Sequence, residues 1–361
     1  MKIARILGTR PQFMQAPSLY EALNLHGVSQ TLIHSGQHYD DAMSGVFFRD
    51  LGLPPPDINL SIGGLSHGAG TGRMMEQIEG CLLDIRPDAV VVDGDTNTTM
   101  AAALAACKLN IPVVHLEAGL RDFDRNRPEE INRIVSDHVA SLNLAPIPRA
   151  LKNLENEGLG RNSKIVGDLL CDCFLRNRDR ADPKILDVLG VRPGQFNIMT
   201  LHRPENTDVS NYQRFASILD AVNEVGTPVI FPLHPRTKPV LEMYRSERGG
   251  TGVVQIIEPL SYISMLSLMS FCDCVFTDSG GLPREAVWAN RRVVMLFRVD
   301  TWHDLLEHGW AQIGKSDKAS VLSAYGRAVP APDASRAFFG DGAAGARAAA
   351  SIVDLLNNGA H

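Results

Sequence analysis

Strand-like runs rich in apolar residues recur at 2–7, 29–35, 88–93, 111–117, 142–147 and 164–167, then at 196–202, 228–234, 253–258, 273–278 and 291–297. Most of the intervening stretches read as helices, among them the alanine-rich 98–109. Asp88-Ala-Val-Val-Val-Asp93 and Ile111-Pro-Val-Val-His115 have no polar alternation, which marks strands buried on both faces in a parallel sheet. The alternation predicts an α/β chain, and so many strands exceed one ordinary open sheet of this length. Two doubly wound, Rossmann-like domains are expected. The first sheet is complete by Gly167, so the expected division is 1–167 and 168–361, with a terminal helix over 342–357 in the second domain and a loop over 327–338.

In parallel sheets of this kind, ligands sit beyond the carboxyl ends of the strands. Asp95 and Glu117 stand just past two such ends, and Glu129 follows in Pro128-Glu129-Glu130-Ile131-Asn132-Arg133. Three carboxylates aimed at one region suit acid and base chemistry. Two other readings stay open, Asp95 as a cap of the following helix and Glu129 as an i,i+4 partner of Arg133.

Groups suited to an anion lie at other strand ends. Gly8-Thr9-Arg10-Pro11 joins a glycine turn, a forked cation and a helix-starting proline, so it reads either as a diphosphate cradle or as a plain turn. Thr277-Asp278-Ser279-Gly280-Gly281 precedes Leu282-Pro283-Arg284-Glu285, where backbone N–H groups at a helix start favour phosphate. Ser279 also reads as a simple cap, and Glu285 as a ribose contact or a complement to the helix dipole. His202-Arg203 and His234-Pro-Arg236 each end a strand and add two basic pairs.

With 361 residues, 44% hydrophobic, 21% charged and a net charge of −6, the chain is an ordinary globular protein with no basic block for nucleic acid. No apolar run has membrane-spanning length, and the start lacks a signal-peptide pattern, so the expected address is cytoplasmic. The six cysteines, including Cys171-Asp-Cys173 and Cys272-Asp-Cys274, lack metal or redox spacing. They are expected to be reduced core thiols, with the i,i+2 pairs on one face of a strand. Neither a metal nor a dinucleotide cofactor is expected.

Taken in order, Gly8-Thr9-Arg10-Pro11, Gly94-Asp95-Thr96, Glu117-Ala-Gly-Leu-Arg121, Pro128-Glu129-Glu130, Asn132-Arg133, His202-Arg203, Asp278-Ser279-Gly280-Gly281 and Gly340-Asp341-Gly342 resemble the non-hydrolysing UDP-N-acetylglucosamine 2-epimerases. His34-Ser-Gly-Gln-His-Tyr-Asp40 and Leu201-His-Arg-Pro-Glu-Asn206 look most like the UDP-2,3-diacetamido-2,3-dideoxyglucuronate 2-epimerase branch. The resemblance implies the glycosyltransferase-B fold with the active site in the interdomain cleft, a UDP-sugar substrate, a homodimer, no cofactor, and inversion at C2 by loss and return of UDP. Matching motifs assign acid, base and leaving-group roles to Asp95, Glu117, Glu129 and His202. They put Arg10, Arg133, Arg203, His234, Arg236, Ser279, Gly280, Gly281 and Glu285 around the substrate. Gln37, His38, Arg73, Arg284 and Arg298 become candidates for the rim or an activating site, with His234 also matching the latter.

Three departures stand out. Gln15 replaces a usual lysine, Leu282-Pro283-Arg284 replaces a run beginning with glutamine, and Trp302 stands where a glutamate is usual. Competing readings are a hydrolysing epimerase releasing N-acetylmannosamine and UDP, a glycosyltransferase, and a non-catalytic UDP-sugar binder.

Overall fold

The computed structural model describes residues 1–36, 50–297, 302–315 and 317–358. The chain divides into two compact units, Met1–Leu175 with Ala337–His361 and Arg176–Arg336.

Unit 1 holds seven parallel strands: β1 (Lys2–Leu7), β2 (Ser29–His34), β3 (Ile58–Asn59), β4 (Ala89–Asp93), β5 (Val113–Leu116), β6 (Leu142–Ala145) and β7 (Ser163–Ile165). Their order is β3-β2-β1-β4-β5-β6-β7. Alternate residues feed opposite faces. Ile3, Val91 and Val114 pack with Leu19 and Leu23 on one side, while Ala4, Val90 and Val92 pack with Ile78 and Ala102 on the other. Both faces are thus covered, which is why these strands carry no polar alternation.

Unit 2 holds six: β8 (Asn197–Thr200), β9 (Val229–Pro232), β10 (Val254–Ile257), β11 (Cys274–Thr277), β12 (Arg292–Met295) and β13 (Gln312–Ile313). The order is β10-β9-β8-β11-β12-β13, again parallel. Phe215, Phe231, Phe276 and Leu296 are among its fully covered side chains. The two-residue strands β3 and β13 had no counterpart in the apolar pattern, being too short to show one.

The expected domain division needs correction. It moves from 167/168 to 175/176, and the terminal helix, Ala344–Asn358, belongs to unit 1. Its buried face, Ala344, Ala348, Ala349 and Ile352, completes the core around Leu19 and Leu23. Gly345 permits the approach, because a Cβ there would stand 2.6 Å from the Ser18 carbonyl carbon. The buried Asp172 carboxylate accepts from the N–H groups of Ala344 and Gly345 at 3.1 and 2.8 Å, satisfying two donors at the helix start. A helix, Ser335–Phe339, also interrupts the expected loop. The cysteine pairs are buried as expected, but neither pair shares one face of a strand: Cys171 and Cys173 sit on the helix Leu169–Asn177, while Cys272 ends a helix and Cys274 begins β11.

Candidate active site

Each sheet reverses its strand order once, between β1 and β4 in unit 1 and between β8 and β11 in unit 2. These are the positions where doubly wound sheets open a crevice at their carboxyl edge.

In unit 1 the crevice turns are tied to each other. Gln12 accepts from the N–H groups of Gly8 and Thr9 at 2.7 and 3.0 Å and donates to the Asp93 carbonyl at 2.6 Å. The Gly8 and Thr9 N–H groups of this turn therefore already serve Gln12. Gly8 is required by close packing, since a Cβ would lie 2.3 Å from Thr98 Oγ1. The side chain of Arg10 lies outside the described structure.

Asp95 follows β4 and accepts from Arg133 Nη1 at 2.5 Å. It does not cap the next helix; Thr96 does, accepting from the Thr99 N–H at 3.2 Å. Glu117 follows β5 with φ of +62°, a left-handed backbone that costs a non-glycine residue about 1 kcal/mol or more. Gln15, the residue in place of the usual lysine, donates to Glu117 Oε2 at 3.1 Å. A Cβ on Gly94 would be 3.4 Å from that same oxygen, so the Glu117 carboxylate reaches the turn that carries Asp95.

Arg133 is itself held by three acids, Asp95, Asp122 through Nη2 at 3.0 Å and Glu130 through Nε at 3.0 Å. Burial disfavours its charge, but Asp95, Glu130 and Asp122 outweigh that and its pKa is raised. Glu129 behaves differently. It is exposed, and the i,i+3 partner of Arg133 is the buried Glu130. The helix Pro128–Val139 explains the difference, because its buried face is polar: Glu130, Asn132, Arg133, Ser136 and Asp137. Polar residues at helical spacing on the inner face were the available signal for Glu130 and Asp137, which the motif reading passed over.

A second buried network underlies these turns. His115 Nε2 meets the Gly94 carbonyl at 2.7 Å and Nδ1 meets Asp137 Oδ1 at 2.7 Å. Both partners are acceptors, so both ring nitrogens donate and the ring is an imidazolium. Burial works against that charge, yet Asp137 raises the His115 pKa overall. Asp137, opposed by its own burial, is lowered by His115 and by Arg121 at 2.6 Å.

Unit 2 uses one carboxylate to join its turns. Asp278, fully buried, accepts from the N–H groups of His202 and Arg203, from Asn206 Nδ2 at 2.9 Å, and from His202 Nδ1 at 2.9 Å. Burial pushes this acid up, but His202, Asn206 and the Arg203 N–H hold it below the usual carboxylate range. An ionised Asp278 accepts from His202 Nδ1 and so leaves Nε2 as the ring's outward nitrogen. The His234 ring is 5.9 Å away, and its Nδ1 accepts from the Arg236 N–H at 3.2 Å, the opposite tautomer. Arg203 Nε donates to the Asp278 carbonyl at 2.7 Å and its guanidinium lies 4.2 Å from the Phe297 ring centre. Arg236 is exposed.

After β11, Ser279 Oγ accepts from the Leu282 N–H at 3.4 Å although Gly281 is the N-cap of that helix, and the space around Gly280 Cα is open. Gly281 begins the helix Leu282–Trp288, on which Arg284 and Glu285 are both buried. Arg284 lies 3.8 Å from the centre of the Trp302 ring, so two departures from the family pattern meet each other. Of the rim candidates, Arg73 pairs with Glu76 at 2.7 Å on an exposed helix face, and Gln37, His38 and Arg298 lie outside the described residues. Among the described residues, no group of three His, Cys, Asp or Glu could hold a metal ion, and no helix is long and apolar enough to cross a membrane.

A sequence profile of the family described as UDP-N-acetylglucosamine 2-epimerase matches residues 21–353. The chain is 43% identical over 316 residues to the UDP-2,3-diacetamido-2,3-dideoxy-D-glucuronate 2-epimerase of Pseudomonas aeruginosa, covering 86% of this chain and 87% of the relative. It is 41% identical over 298 residues to the UDP-N-acetylglucosamine 2-epimerase of Methanocaldococcus jannaschii, covering 79% and 81%. The crystal structure of a UDP-N-acetylglucosamine 2-epimerase from that organism, in complex with UDP-N-acetylglucosamine and UDP, superimposes with a TM-score of 0.87 at 36% identity, covering 99% of this chain and 100% of the other.

Proposed function

The chain belongs to the UDP-N-acetylglucosamine 2-epimerase family, and from that premise we propose that it inverts C2 of a UDP-linked acetamido sugar without hydrolysing it. C2–H is only weakly acidic, and direct deprotonation would leave an unstabilised carbanion. Removing the proton as the C1–O bond breaks places the electron pair in a C1=C2 bond and sends the bonding pair of C1–O to UDP. A proton then arrives at C2 from the opposite face, and the UDP oxygen re-forms its bond to C1. The route needs proton-transfer groups for two faces and donors for a leaving diphosphate.

The observation that carries this reading is the Glu117 carboxylate reaching the Asp95 turn at the carboxyl edge of β4 and β5. Asp95, Glu117 and Glu129 supply the proton-transfer set, with Arg133 orienting Asp95 rather than binding phosphate. The Ser279-Gly280-Gly281 turn supplies donors to the diphosphate, His202 acts through Nε2 as an acid/base group beside it, and Glu285 serves the ribose. UDP-N-acetylglucosamine and UDP-N-acetylmannosamine are the proposed pair; the diacetamidoglucuronate sugar is the second reading, favoured by the shared Leu201–Asn206 motif. The reading includes a cytoplasmic homodimer that needs no cofactor and supplies a sugar donor to polysaccharide biosynthesis.

The test is incubation with UDP-N-acetylglucosamine in deuterated water, followed by NMR. Deuterium at C2 together with growing UDP-N-acetylmannosamine is the expected result. Accumulating free UDP and N-acetylmannosamine would instead identify a hydrolysing enzyme, and no exchange with either sugar class would remove the proposal.

A further inference from the structure

Six described non-glycine residues have positive φ, and two of them, Glu117 and Phe123, lie in the segment that follows β5. Glu117 carries proposed chemistry; Phe123 carries none so far. Its φ is +60°, and the residue is 72% exposed. A bulky residue in this backbone region is uncommon, and it persists only where surrounding contacts impose it.

Those contacts are built from the acid site. Glu130, 1% exposed, accepts from the N–H groups of Asp122 and Phe123 at 3.1 and 3.0 Å. The same Glu130 and Asp122 grip Arg133, which grips Asp95. The ring is therefore presented outward by the buried cluster that orients a proposed proton-transfer group. Glycine or asparagine would make this turn with less strain, so the turn alone does not account for phenylalanine.

We propose that Phe123 is a specificity-determining contact, its ring packing against the acetamido methyl of the UDP-linked sugar. This rests on the function proposed above. An acetamido sugar offers an apolar methyl beside the reacting C2, and an exposed aromatic ring on a backbone held by the acid cluster is a surface that recognises it.

The experiment compares the full-length wild type with Phe123→Ala and Phe123→Tyr. KM and kcat are measured with UDP-N-acetylglucosamine, dissociation constants with UDP and UDP-glucose, and oligomeric state by sedimentation. Phe123→Ala should raise KM about tenfold, the size of one lost aromatic contact, with kcat changed less than about threefold. Binding of UDP and of UDP-glucose, which lacks the acetamido group, should be unchanged, and Phe123→Tyr should restore KM. An unchanged KM in Phe123→Ala, an equal loss for UDP, or a KM change explained by a shift in oligomeric state would each overturn the proposal. A wild type inactive on every UDP-acetamido sugar would sink the proposed function itself, which separates the two failures.

Discussion

In unit 1 the turns after β4 and β5 are held by full charges, with Arg133 gripped by three carboxylates and an imidazolium His115 set between Gly94 and Asp137. In unit 2 the turns after β8 and β11 share a single carboxylate, Asp278, which collects mostly neutral N–H donors. The difference follows the proposed chemistry. Proton transfer needs carboxylates whose positions are fixed by strong partners, whereas binding a diphosphate needs donors and little competing negative charge. The Arg133 guanidinium already serves three acids, and Arg127 stands 3.7 Å from Asp122, so the cations of this cluster are committed to positioning carboxylates.

The sharpest way to break this contrast is to remove the acids. Asp95→Asn and Glu117→Gln should each lower kcat by about a thousandfold, as expected for loss of a general acid or base. Affinity for UDP alone should stay within about threefold, and circular dichroism should stay unchanged. If either amide variant keeps wild-type turnover, unit 1 is not the proton-transfer half.

The second test separates the units by pH. His115 has a raised pKa in the fold, so its stabilisation is fully present below the unfolded value of about 6.5 and is lost as pH rises through the folded value. Asp278 is lowered from 3.8, so its contribution is present above that value and is lost as pH falls through the folded one. His115→Gln should flatten the alkaline limb of protection in unit 1, and Asp278→Asn the acid limb in unit 2. Each should cost roughly 3 kcal/mol near neutrality, because each strands buried partners. Hydrogen exchange read peptide by peptide distinguishes the units; limbs that stay put in both variants would show that other groups set the pH dependence.

Much of this was legible from the chain, and the exceptions have a common cause. Asp95 and Glu117 were found because strand ends are readable from apolar runs. The motif named Glu129 and passed over the buried Glu130, because a motif names positions and does not state the phase in which a helix meets its neighbours. Gln12 satisfies the Gly8 and Thr9 N–H groups and bonds to β4, a partner far away in sequence. Asp278 read as one letter of a phosphate-binding motif, although it organises the whole edge. The terminal helix returned to unit 1 for the same reason: local pattern predicts a helix, and only packing decides which core it completes.

The smallest expected effect concerns the two departures that meet in unit 2. Had Arg284 and Trp302 been independent losses of polar function, no contact between them would be required, yet the guanidinium lies 3.8 Å from the ring centre with both side chains buried. The pair ties the helix that follows the Gly280-Gly281 turn to the chain after β12. A double-mutant cycle with Arg284→Met and Trp302→Phe, read by urea unfolding, should give a coupling of about 1–2 kcal/mol. Both single variants should weaken UDP binding about three- to tenfold through the displaced turn, while C2 exchange per bound substrate stays near wild type. Zero coupling would show two unrelated substitutions; a loss of exchange with UDP affinity intact would carry the proton-transfer site into unit 2 and dissolve the contrast between the halves.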